Sequence, residues 1–185
     1  TLFYADRIVA NFRAMDSMFH TSAISRAPVA HVFERAPAPL PDTFTHRGQT
    51  QQTATWLSET WTTGLIVVRD GKITYEDYYR GNDHTTRTIS WSLAKSFISA
   101  LAGIAVAEGH IASIQDPVTR YVPALEGTGY DGVPIKDVLQ MSSGVRFDED
   151  YAASFSDINR MGRAIAFDTS INAFVASLKN ERPPG

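Results

Sequence analysis

Ser92 and Lys95 stand three residues apart in the stretch Trp91-Ser92-Leu93-Ala94-Lys95-Ser96-Phe97. On a helix that spacing puts both side chains on one face with Cβ atoms roughly 5–6 Å apart, so an amine at 95 reaches a hydroxyl at 92. A serine hydroxyl becomes a good nucleophile when a neighbouring base takes its proton, and a lysine serves as that base where burial or a nearby cation depresses its pKa. Trp91, Leu93, Ala94 and Phe97 are the apolar neighbours expected to supply the desolvation. A serine in the first helical turn also aims its backbone amide at a place where the positive end of the helix dipole favours a developing oxyanion. The chain holds 15 serines and 4 lysines, which give roughly 0.3 such spacings by chance. The elements around the pair therefore decide what it means.

Phe97, Leu101, Ile104, Ala105 and Glu108 keep helical spacing after Ser92, and Gly109 supplies the stop, so the pair opens the best-defined helix of the sequence. Upstream, residues 64–68 read as a buried strand, Asp70-Gly71 as a hairpin turn and the alternating residues 72–79 as the returning strand. Asp116-Pro117 reads as an N-cap followed by proline at the first helical position, opening a short turn that Pro123 ends. Ile135, Val138 and Leu139 mark a short helix closed by Ser142-Ser143-Gly144. A last helix is expected from about Ser170, with Ile171, Phe174, Val175 and Leu178 on one face and Lys179 near its end. Residues 1–52 carry Pro28, Pro37, Pro39 and Pro41 among short apolar patches, and are expected to form an irregular arm with a helix at about 5–18. The domain proper is expected over 53–185, opening with a short helix within 53–62.

A chain of 185 residues that is 43% hydrophobic and 20% charged is long enough for one domain with a real core. Its net charge of −3 and its scattered lysines and arginines argue against a nucleic-acid partner. No apolar run approaches the roughly 20 residues of a membrane-spanning helix, so no membrane span is expected. The absence of cysteine excludes disulfides, thiolate metal sites and a cysteine nucleophile, and it leaves the compartment undetermined. His20, His31, His46, His84 and His110 lack the spacing of a metal site, so neither a metal nor a cofactor is expected. Glu76-Asp77 and Asp148-Glu149-Asp150 read as a strand face and a solvated loop rather than as paired catalytic carboxylates. Trp56, Trp61 and Trp91 read as core or pocket wall.

Five landmarks then occur in order: the strand pair of 64–79, Ser90 to Phe97, Glu108-Gly109-His110-Ile111, Asp116-Pro117-Val118-Thr119-Arg120-Tyr121-Val122-Pro123, and 135–144. Together they resemble the class C β-lactamase-like, penicillin-recognising serine hydrolases, whose S-x-x-K signature opens a helix in this way. Phe147-Asp148-Glu149-Asp150-Tyr151 after the Ser-Gly landmark is similar to 6-aminohexanoate-dimer hydrolases and related carboxylesterases. The resemblance implies an α+β fold (an α/β sandwich) of β-lactamase/transpeptidase type, with a central antiparallel sheet, flanking helices and a helical region after the nucleophile helix. It further implies hydrolysis of small-molecule amides or esters through an acyl-enzyme on Ser92, with Lys95 as base and Tyr151 contacting the substrate amide. A β-lactamase, a D,D-peptidase and a non-catalytic module binding acyl or peptide ligands are the alternatives. Such proteins also carry a Tyr-x-Asn or Tyr-x-Ser motif and a later Lys-Thr-Gly or His-x-Gly. No tyrosine of this chain is followed two residues on by Asn or Ser, and His46-Arg47-Gly48 fits the later pattern only as letters, since it precedes the nucleophile. The resemblance, over about 64–185, is therefore to the N-terminal part of such a domain. The remainder is expected to come from further residues or from a second polypeptide, and residues 1–185 alone are expected to be inactive and to aggregate or stay partly unfolded.

Overall fold

The computed structural model describes residues 2–185 and divides into two units, Thr1–Ile89 and Ser90–Gly185. The first unit runs α1 (Ile8–Arg13), α2 (Met15–Met18), β1 (Glu34–Arg35), β2 (Thr43–His46), β3 (Gln49–Gln52), α3 (Thr53–Glu59), β4 (Gly64–Arg69) and β5 (Lys72–Tyr78). Asp70 and Gly71 have φ of 51° and 73°, the two left-handed residues that a tight hairpin turn needs. They set β4 antiparallel to β5 from Gly64↔Tyr78 to Arg69↔Lys72, with a register shift between Val67 and Val68.

The sheet of this unit has the order β1-β5-β4, and β1 lies parallel to β5 where an antiparallel sheet was expected. The prolines explain how. Ala36 and Ala38 donate their N–H groups to the carbonyls of Ile73 and Thr74 at 2.9 and 2.8 Å. Pro37 and Pro39, which have no N–H to offer, occupy the alternate positions of this edge, where none is required. Residues 1–52 are thus not an irregular arm throughout. The helix expected at 5–18 is divided at Ala14 into α1 and α2, and β2 pairs with β3 about Arg47-Gly48, whose φ values of 50° and 76° form a second tight turn. His46-Arg47-Gly48 is a hairpin corner. The pattern was hard to see because Thr-Phe-Thr-His and Gln-Thr-Gln-Gln hold a single apolar residue, Phe44. That ring packs edge-on against Trp56 of α3, with centroids 5.7 Å apart.

Beyond β5 the chain is fixed by Asp83. Its Oδ1 accepts from the Thr85 hydroxyl at 2.7 Å, the Thr85 N–H at 2.8 Å and the Thr86 hydroxyl at 3.0 Å. These donors, the Thr85 hydroxyl foremost, favour the ionised carboxylate and hold its pKa at about 2 against an ordinary 3.8.

The second unit contains α4 (Leu93–Ala107), two tight turns at Val118–Arg120 and Pro123–Leu125, α5 (Ile135–Leu139), α6 (Asp157–Ala166) and α7 (Ile171–Ser177). Its apolar centre is Val133, Ile135 and Leu178. The N–H of Val118 donates to Val133 at 2.8 Å and that of Ile135 to Asp116 at 3.0 Å, joining the two short stretches that flank this centre. Asp116 is not the expected helix cap. Pro117 holds the cap position, and the Asp116 carboxylate instead accepts from the Tyr121 hydroxyl at 2.6 Å and from Arg120 at 3.0 Å. α7 begins as expected, with the Ser170 hydroxyl accepting from the Ala173 N–H at 3.1 Å. It stops at Ser177, so Leu178 reaches the core from outside the helix. α6 was not anticipated, because Gly162 and Asn159 weaken its helical signal; its Ile158, Met161 and Ile165 do keep helical spacing.

Residues after α7 fold back on the Ser-Gly landmark. Val145 bridges Asn180, Glu181 N–H donates to Gly144 at 2.9 Å, and Gly185 N–H donates to Ser142 at 2.9 Å. Gly144 has φ 74°, and a Cβ there would lie 2.0 Å from the Arg182 carbonyl oxygen. Among the described residues no helix is long and apolar enough to cross a membrane.

Two outcomes are expected. The Asp83 contribution to stability is present in full above the ordinary carboxyl pKa of 3.8 and is lost as pH falls toward about 2. NMR titration should find the Asp83 carboxyl midpoint well below that of a free aspartate, and Asp83→Asn should flatten the acid limb of the stability curve. Gly144→Ala should lower stability by about 2–4 kcal/mol through the clash and the left-handed backbone, read as a lower urea midpoint.

Candidate active site

Ser92 caps α4, with φ −65° and ψ −9°. The residue before it, Trp91, has φ 46°, a left-handed conformation that costs a bulky side chain about 1–3 kcal/mol and tends to occur where the backbone is under functional constraint. The first turn then closes tightly. Leu93, Ala94 and Lys95 donate their N–H groups to the carbonyls of Ser90, Trp91 and Ser92 at 3.1, 3.1 and 3.0 Å. The Ser92 N–H itself has no acceptor among the described residues, so it is available to an oxygen arriving at the N-terminus of a fifteen-residue helix.

One turn on, the Lys95 Nζ donates to the Ser92 Oγ at 3.0 Å. The contact expected from the spacing is therefore made. With Lys95 neutral, the same contact reverses and the hydroxyl donates to the amine, which is the arrangement that prepares a serine to attack. The expected desolvation is not supplied by the neighbours: Trp91, Leu93 and Phe97 are 48%, 59% and 64% exposed. Leu93 and Phe97 belong to a helix that has no buried residue, and Trp91 stands just before its cap.

Tyr151 is 70% exposed, and its hydroxyl makes no hydrogen bond to Ser92 or Lys95. The structure brings the serine and lysine together and leaves the tyrosine on its own loop. That loop is nevertheless well fixed, by a residue the sequence did not single out. The Asn159 Nδ2, on the first turn of α6, donates to the Tyr151 carbonyl at 3.1 Å, the Ala153 carbonyl at 2.9 Å and the Ser156 hydroxyl at 3.1 Å. The Asp157 Oδ2 also accepts from the Asp148 N–H at 3.0 Å. An asparagine one turn inside a helix that follows a polar loop was the only available hint.

A strand pair leads to a helix that opens on a hydrogen-bonded serine and lysine, and a solved structure shows the fold to be β-lactamase/transpeptidase-like. A Bacillus anthracis protein assigned by name to the 6-aminohexanoate-dimer hydrolases superposes with a TM-score of 0.81, covering 100% of this chain and 51% of that one at 17% identity. Residues 51–185 match the family described as Beta-lactamase, and the chain belongs to it. It is 34% identical over 113 residues to the 6-aminohexanoate-dimer hydrolase of Paenarthrobacter ureafaciens, a match covering 61% of this chain and 29% of that protein. It is 29% identical over 87 residues to a Beta-lactamase of Pseudomonas fluorescens, covering 43% and 24%. The matches thus span less than a third of these curated relatives.

Replacing Asn159 with alanine should release the loop before α6 at a cost of about 1–3 kcal/mol. Hydrogen exchange should quicken at the amides of 151–156 while the amides of α4 keep their protection.

Proposed function

We propose that this chain carries the nucleophile of a serine hydrolase that cleaves amide or ester bonds of small molecules through an acyl-enzyme. The observation that carries the reading is the 3.0 Å bond between the Lys95 Nζ and the Ser92 Oγ at the head of α4. In this reading neutral Lys95 takes the hydroxyl proton as the Ser92 oxygen attacks the substrate carbonyl carbon. The Ser92 N–H donates to the oxyanion of the tetrahedral intermediate, which collapses as the amine or alcohol leaves with a proton. Water then hydrolyses the acyl-serine and restores the hydroxyl. Tyr151 offers its free hydroxyl to the substrate amide, in a position that Asn159 maintains.

The rest of the domain is proposed to complete the site, as further residues or as a second polypeptide. Support comes from α4: Leu93, Phe97, Ile98, Leu101 and Ile104 are all more than half exposed, whereas a helix apolar around its circumference is built to be covered. Such a cover would also supply the missing desolvation of Lys95, a second oxyanion donor and a group to protonate the leaving amine. The 34% identity to the Paenarthrobacter relative favours a linear amide such as a 6-aminohexanoate dimer as substrate. The Pseudomonas relative supports a β-lactam as the second reading.

A fluorophosphonate probe applied to the complete protein should label Ser92, located by mass spectrometry, and Ser92→Ala should lose the label together with at least about 10³-fold in kcat. Comparing kcat/KM for a 6-aminohexanoate dimer and a chromogenic β-lactam separates the two substrate readings. Full turnover in Ser92→Ala would overturn both.

A further inference from the structure

Apart from the serine and lysine, α6 and α7 form an open cleft of about 490 Å³, walled by Phe167, Ala173 and Phe174 and bearing Arg160, Arg163 and Ser170 on its polar side. The two arginines are three residues apart on α6, where neighbouring like charges are unfavourable unless compensated. Arg160 is compensated: its Nη1 donates to the Asp157 Oδ1 at 2.7 Å, and its guanidinium lies 5.4 Å from the Phe174 ring centroid. Arg163 is not. Its Nη1 donates to the Ser154 carbonyl at 2.6 Å and its guanidinium lies 5.8 Å from the Phe155 ring, yet no carboxylate pairs with it among the described residues. Ser170 accepts from the Ala173 N–H, which leaves its own O–H proton to donate. The cleft therefore presents one uncompensated cation and one free hydroxyl beside an apolar floor. Phe155 and Phe167, at 87% and 75% exposure, add aromatic surface at its rim.

We infer that this cleft binds a linear aliphatic carboxylate. The carboxylate lies on Arg163, whose planar guanidinium matches it in two parallel bonds, and accepts from the Ser170 hydroxyl. The methylene chain lies along Phe167 and Phe174. A single net positive charge suits a monoanion, and the apolar walls select a chain over a bare ion. The binding involves no chemistry at Ser92 and stands whether or not that residue is a nucleophile.

NMR titration of the complete protein with hexanoate, hexan-1-ol and inorganic phosphate tests the inference. Hexanoate should shift the Arg163 side-chain N–H and the Phe167 and Phe174 ring resonances saturably, and the alcohol and phosphate should do so at least about tenfold more weakly. Arg163→Gln should weaken hexanoate binding about tenfold, Arg163→Lys should restore part of it, and Ser92→Ala should leave it unchanged. Absence of saturable shifts, equal binding of hexanoate and hexan-1-ol, equal binding of phosphate, or undiminished binding in Arg163→Gln would each overturn it.

Discussion

The backbone must pass through a left-handed residue at Trp91, φ 46°, before α4 can begin with Ser92 at its head. That one dihedral turns the chain so that the next three amides reach back across the corner to Ser90, Trp91 and Ser92. Their donors are thereby used, while the Ser92 amide is left over. The side chain of Ser92 emerges on the same face as Lys95, and the helical rise between them fixes the amine 3.0 Å from the hydroxyl. The open amide belongs to this left-handed corner, a conformation that the residue type itself disfavours, and the side-chain pair belongs to the helix that follows it.

The parts of the structure legible in the sequence are those where a local signal and the final environment agree. Asp70-Gly71 demands a tight turn wherever it is placed, and the strands on either side of it alternate. α4 is rich in good helix formers and ends at glycine, and Ser92 with Lys95 needs only that helix to meet. Other elements depend on distant partners that leave no local trace. β1 is a strand only because Ala36 and Ala38 find carbonyls on β5, some 37 residues later in the chain. Asp116 looks like a cap but answers to Tyr121 and Arg120, which lie one turn beyond it. Exposure was the least legible quantity: an apolar sequence around a lysine does not reveal whether its side chains close over the amine or point away from it.

Polar anchoring of loops recurs in both units. Asp83 gathers three donors within three residues, and Asn159 ties three acceptors of the preceding loop to α6. In each case a short side chain substitutes for absent backbone pairing, which fixes an exposed stretch without an apolar core beneath it. The two anchors differ in charge: the carboxylate responds to acid, and the amide does not.

The bridge between Val145 and Asn180, with the bonds beside it, ties residues 146–179 into a loop with a closed neck. Closing such a loop costs entropy that rises only with the logarithm of its length, about 0.6 kcal/mol for each doubling. The stretch between Phe147 and Asp157, which carries Tyr151, can therefore gain or lose residues over evolution at little thermodynamic penalty. The neck and the strict glycine at 144 would resist such change. Variation in this fold is thus channelled toward the loop that carries Tyr151 and away from the neck that secures it.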